Sequence, residues 1–282
     1  MMAPAVILRL TFLESVRRRI ALAAFVLGIL FLILFGFGFH FAFKSTLRAH
    51  DMPGGTMIQN QVFNFLSTAG LYAVNFLTIA MGALVSADTL AGEISSGTIQ
   101  TIVAKPLRRS DVVLGKWLGF AVLLAIYLLL MSGGVALIVF LQSGYKLRHL
   151  VAGVGLIYLE SILIMSVSLA CSSTFSALAT GGIVFGLYGL GFIGGWVEQI
   201  GSALQNETAV HLGIFSSLLI PTEALWKRAA YEMSSPVIRS LGVAAGPFAS
   251  VSVPNPLMIL YAAAYTLVMV LIAIRRFSKR DL

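Results

Sequence analysis

RRRIALAAFVLGILFLILFGFGFHFAFK, residues 17–44, is the stretch whose reading settles the class of fold. Between its basic ends, residues 20–43 carry no Asp, Glu, Lys or Arg. A helix needs about 20 largely apolar residues to cross a hydrocarbon core of about 30 Å, and this run is long enough. A secretory leader has an apolar stretch of about 7–15 residues and leaves through a small-residue cleavage site. This run is longer and no A-x-A exit follows it, so it is expected to remain as a membrane span.

The rest of the chain repeats the pattern. At 282 residues, 59% hydrophobic and 11% charged, with a mean hydropathy of +0.95, it holds more apolar material than one soluble core of that length can bury. Soluble globular and disordered classes are thereby excluded. Segments 62–87, 112–141, 150–171, 175–196 and 257–274 are also long and apolar enough to cross, which with 20–43 makes six spans in one 1–282 domain. Only Ser172, Ser173 and Thr174 separate the fourth from the fifth, enough for a hairpin of antiparallel helices. The expected fold is all-α and polytopic.

An even number of spans puts both termini on one side. Placing them in the cytoplasm gathers Arg9, Arg17, Arg18, Arg19, Lys105, Arg108, Arg109, Lys116, Arg275, Arg276, Lys279 and Arg280 there, twelve of the 19 Lys and Arg. The other face receives Lys44, Arg48, Lys146, Arg148, Lys227, Arg228 and Arg239. Cations at span ends account for the net charge of +8 and the pI of about 9.9 without invoking nucleic acid. Trp117 and Trp196 fall at opposite interfaces in these registers. Lys116 and His40 sit near span ends where they can snorkel, leaving Glu160 as the one formal charge near a midplane. All eight prolines lie outside the span interiors. Both features argue against an ion-coupled carrier, which needs broken helices and intramembrane charge.

Residues 1–19 read as an interfacial helix, with Val6, Leu10 and Leu13 on one face and Arg9, Thr11, Ser15 and Arg18 off it. Between the second and third spans lies DTLAGEISSGTIQTIVAKPLRRSD, residues 88–111, dense in charge, glycine and apolar residues at helical spacing. Gly92 permits a bend, Ile99, Ile102 and Val103 form an i, i+3, i+4 face, Pro106 stops that helix, and Ser110 can cap the next. A short apolar-faced helix in the cytoplasm needs a partner surface to cover it.

Glu93, Gly97, Thr98, Pro106, Arg109, Gly115 and Lys116, spaced E-x3-G-T-x7-P-x2-R-x5-G-K, together with Asn255-Pro256 and the terminal Arg275, Arg276 and Phe277, resemble the type-2 ABC exporter permease family. Within it the chain is most similar to the single-domain permeases grouped with multicopper-enzyme maturation, a label that names no substrate. The resemblance implies a coupling helix over about 92–107 that docks on a separate ATP-binding subunit. Glu93 and Arg109 would fix its ends, and either is equally readable as an ordinary cytoplasmic charge. It further implies a second permease copy or paralogue, alternating access, and a bacterial plasma (inner) membrane with both termini cytoplasmic.

ATP and Mg would belong to the partner, and this chain is expected to be a non-catalytic subunit without a cofactor of its own. A phosphate-cradling loop needs G-x4-G-K-[ST], whereas Gly115-Lys116 is followed by Trp117 and position 110 is Ser. His40, His50, His149 and His211 are scattered, and the lone Cys171 reads as a packing residue.

Three features remain. The fifth span holds two G-x-x-x-G pairs, Gly182 with Gly186 and Gly191 with Gly195, which mark close helix packing either within the subunit or across a seam. Glu160 is the candidate intramembrane polar site, with Asn75 at matching depth as a bonding partner, in a structural or a functional role. The outer loop, 197–256, carries apolar Ile214, Leu218 and Leu219 and then 222–233, expected as short amphipathic helices on or dipping into the outer leaflet. The alternatives to an ABC permease are an ion-coupled carrier or channel and a non-transporting membrane anchor.

Overall fold

The computed structural model describes residues 3–17, 19–47, 55–95, 108–234 and 253–279. Among them it shows helices and no strand: α1 (Ala3–Arg17), α2 (Arg19–Leu47), α3 (Gly55–Ser95), α4 (Arg109–Ser143), α5 (Leu150–Ser172), α6 (Ala177–Ala203), α7 (Glu207–Leu219), α8 (Thr222–Met233) and α9 (Leu257–Ser278). Six of these are long and apolar enough to cross a membrane, α2 to α6 and α9, or seven spans if the α7–α8 pair forms one.

Alpha-helical spans follow from the need to pair every backbone N–H and C=O where water is absent. The same need explains how so many hydroxyls are tolerated. Ser67, Thr78, Ser86, Ser132, Ser161 and Thr266 each donate to the carbonyl four residues earlier, at 2.6–2.8 Å. Between helices, Ser168 Oγ donates to Ala83 O at 2.9 Å and Tyr158 OH to Ala121 O at 2.9 Å.

The main core runs through α3, α4, α5 and α8 around Leu71, Val74, Leu124, Tyr127, Met131, Ile157, Trp226 and Met233. A second cluster joins α3, α5, α6 and α9 through Ile79, Leu163, Ile164, Val184, Tyr188 and Ala262. A third holds the start of α4 and the ends of α5 and α9, with Val113, Leu169 and Phe277 at its centre. Peripheral α2 lies on α3 and α4. Tyr127 OH donates to Ala24 O at 3.2 Å, and a Cβ added at Gly28 would sit 2.7 Å from Met131 Sδ, so that crossing depends on a bare backbone.

Helix α1 packs along α4, but with its faces reversed from those of a soluble amphipathic helix. Thr11 and Ser15 are 6% and 1% exposed, while Val6, Leu10 and Leu13 are 56%, 61% and 46% exposed. A Cβ at Gly119 would meet Thr11 Cβ at 3.0 Å, so the small polar side chains fit closely against α4 and the apolar face is turned outward. That is the arrangement of an interfacial helix whose outward surroundings are acyl chains.

Several local expectations are corrected. Gly92 does not bend the chain, because α3 continues unbroken as a 41-residue helix to Ser95. Ser110 does not cap α4; it lies inside that helix, whose N-cap is Arg108 without a side-chain bond. Lys116 does not snorkel but is 4% exposed within α4. Trp117 spends its indole N–H inside the bundle, on Ser166 Oγ at 2.8 Å, and not on headgroups. The hairpin at 172–174 forms as a tight turn, with Ser176 capping α6 through Ala179 N.

Candidate functional site

The polar centre of the bundle is built by α3, α5, α6 and α8. Asn75 on α3 and Glu160 on α5 are both 1% exposed, and Asn75 Nδ2 donates to Glu160 Oε2 at 3.2 Å. On the same face of α3, one turn earlier, Tyr72 OH donates to Glu223 Oε1 at 3.0 Å. Its ring packs edge-on against Trp226 at 4.7 Å between centroids. Lys227, one turn further along α8, pairs with Glu198 of α6, Nζ to Oε2 at 2.9 Å, with both side chains buried. Tyr188 of α6 lies within electrostatic reach of Glu160 and Glu223.

Glu160 is therefore not the sole buried charge. Among the described residues Lys116, Glu198, Glu223 and Lys227 are buried too, and the last three all come from 197–256, which was expected as outer loop. Helices α7 and α8 meet at 104°, a broken or re-entrant pair. Twelve-residue α8 is about 18 Å long, too short to cross about 30 Å, and it inserts among α3, α5, α6 and α9. A signal was present in the sequence: Glu223 and Lys227 are four residues apart beside Trp226, so two opposite charges and a large ring share one side of a short helix.

Glycine makes the insertion fit. A Cβ added at Gly191 would lie 2.8 Å from Thr222 Oγ1, and one at Gly195 2.8 Å from Glu223 Cβ. The second G-x-x-x-G pair is thus occupied within the subunit. The first pair, Gly182 and Gly186, meets nothing within 4 Å among the described residues. Asn75 Oδ1 and Thr222 Oγ1 are buried and lack hydrogen-bond partners among the described residues, so this centre retains acceptor capacity.

At the C-terminal end of α3, Glu93 occupies the last turn of the helix. Gly97, Thr98, Ile99, Ile102, Val103 and Pro106 lie outside the described residues. Arg109 opens α4, and its Nη1 donates to Phe277 O at 3.4 Å and Ser278 O at 3.2 Å. It thereby binds the last carbonyls of α9, where a cation is favoured by the helix dipole. Gly115 and Lys116 are interior residues of α4, so their backbone amides are committed to the helix and do not fit a phosphate.

A polytopic all-helical bundle with a polar centre, a re-entrant pair and a long helix leading to a basic connector defines the class of a membrane transport subunit. The family model for ABC-2 family transporter proteins matches residues 5–282. The chain belongs to that family, and it is the non-catalytic permease subunit of an ABC-2 transporter. No curated protein matches the chain. Family membership implies an ATP-binding partner subunit.

Proposed function

We propose that the chain is one of two permease halves of an exporter, homodimeric or paired with a paralogue, worked by alternating access through two separate ATP-binding subunits that carry ATP and Mg. The observation that carries the coupling is the length of α3. Its 41 residues make a rod of about 60 Å against a hydrocarbon core of about 30 Å, so the helix projects well past the membrane. Residues 92–95 form its last turn, and 96–107 continue the chain from there. In this reading Ile99, Ile102 and Val103 face the partner, Gly97, Thr98 and Pro106 shape the turn, and Glu93 and Arg109 set its ends. Movement of that segment is passed to α4 and, through Arg109, to α9.

The exposed Gly182 and Gly186 supply a close-approach face for the second half, since small residues let helix backbones meet in lipid. The Tyr72–Glu223 bond and the Lys227–Glu198 pair hold the inserted α8 beside Glu160 and Asn75. In this reading both termini lie in the cytoplasm, which the cation distribution supports, and the membrane is a bacterial inner membrane; the motif spacing supports kinship with the permeases grouped with multicopper-enzyme maturation.

Purification of the tagged chain from its native membrane tests the core of this reading. A Walker-motif subunit in stoichiometric amount, with vanadate-sensitive hydrolysis, is expected. In that complex Glu93→Ala and Ile99→Asp should abolish substrate- or lipid-stimulated hydrolysis while the chain still inserts. Clean recovery without an ATPase, under conditions that preserve another ABC complex, would overturn it.

A further inference from the structure

Remote from the polar centre, the α5–α6 turn and the end of α9 enclose an open cleft of about 450 Å³, lined by Ser173, Thr174, Arg276 and Lys279. Its charged lining residues are both basic. The wall is rigid: Thr174 N and Phe175 N both donate to Cys171 O at 2.9 Å, and Ser173 Oγ donates to Ala170 O at 2.7 Å. Arg276 Nη1 donates to Thr174 Oγ1 at 3.1 Å, which swings the guanidinium across the cleft instead of leaving it free in solvent. Lys279 follows three residues later, past the last turn of α9, so both cations project from one side of the helix end. The N-terminus of 27-residue α6, with its partial positive charge, opens beside the same turn.

Depth identifies the occupant. Helix α9 has 22 residues and is about 33 Å long, a match to a hydrocarbon core of about 30 Å, so its final residues reach headgroup level. Two cations held together at that depth, one of them a planar guanidinium suited to bidentate contact with phosphate oxygens, complement a phosphate oxyanion. Inorganic phosphate shares that chemistry, but a site at the ends of three spans is presented to lipid.

We propose that Arg276 and Lys279, set against the Ser173–Thr174 turn, bind the phosphate of an anionic phospholipid headgroup. The bound headgroup would join the α5–α6 turn to the end of α9, the same helix end that Arg109 ties to α4. This goes beyond the permease reading and is tested without an ATPase.

The full chain, delipidated in neutral detergent, is titrated with fluorescent phosphatidylglycerol and with fluorescent phosphatidylcholine. The wild type should prefer the anionic lipid, and Arg276→Gln with Lys279→Gln should weaken it about 25-fold, at about fivefold per interfacial cation. Lys279→Gln alone, at an exposed position beyond α9, should cost about fivefold and serves if the double variant does not fold. Arg9→Gln removes the same charge from the exposed face of α1 and should leave the preference intact. Equal binding of the two lipids, or an equal loss in Arg9→Gln, would overturn the proposal. Displacement of the lipid by millimolar inorganic phosphate would overturn it too, by assigning the cleft to a soluble anion.

Discussion

Among the described residues, Glu160 is buried with one amide for a partner, and Asn75 in turn leaves its carbonyl oxygen unpaired. Removing the amide strands a buried carboxyl group, so Asn75→Leu should lower stability by about 1–3 kcal/mol, read as a fall in the thermal unfolding midpoint in detergent. Glu160→Gln keeps the shape and the bonding capacity and should leave that midpoint nearly unchanged; loss of transport in that folded variant would assign Glu160 a working role. The Lys227–Glu198 pair is a sharper case, because both partners are buried. Lys227→Met should cost about 3–5 kcal/mol by removing the cation that pairs with buried Glu198, whereas Lys227→Met with Glu198→Leu should recover most of it. A double variant as unstable as the single would rule out the broken ion pair as the cause. The Asn75–Glu160 bond was legible in the sequence, since each residue lies near the middle of its own span and the two therefore share a depth. Glu198 and Lys227 were not, because their partnership depends on α8 folding back into the bundle.

Among the elements, α6 presents two glycine pairs of identical spacing in opposite circumstances. Gly195→Val collides with α8 at Glu223 and should reduce folded yield and thermal stability of the single chain. Gly186→Val faces open space and should leave those unchanged while weakening association of two permease halves, measured by crosslinking through the exposed side of α6. A stable monomer with undiminished pairing in Gly186→Val would remove α6 from the seam. Periodicity identified both pairs and their meaning for packing, but said nothing of which neighbour each one meets. Helix α1 teaches a related lesson. Its apolar spacing marked the amphipathic helix, yet Thr11 and Ser15 turned out to be the residues that face protein. In lipid surroundings the outward face is the apolar one, so the rule learned from soluble helices reverses. Arg109 shows the same dependence on neighbours. Arg109→Ala should cost about 1 kcal/mol through loss of its two long bonds to the α9 carbonyls, detectable as faster hydrogen exchange in the last turn of α9.

For the molecule as a whole, orientation is the first quantity to measure. In a Cys171→Ser background, Glu207→Cys should react with a membrane-impermeant thiol reagent on intact cells and Lys279→Cys should not. The reverse pattern would invert the proposed topology, and with it the side from which the ATPase engages. The sequence by itself determined that the chain is helical and membrane-spanning, because the bilayer demands about 20 apolar residues per crossing and internally paired backbone. It also carried the family, through motif spacing borne out by the match over residues 5–282. Only the tertiary structure decided that 222–233 enters the bundle, that Glu198, Glu223 and Lys227 are buried along with Glu160, and that Arg276 reaches the turn between α5 and α6. Those outcomes depend on which small residues open a slot for which partner across distances the sequence does not encode locally, so no window of spacing or hydropathy contains them.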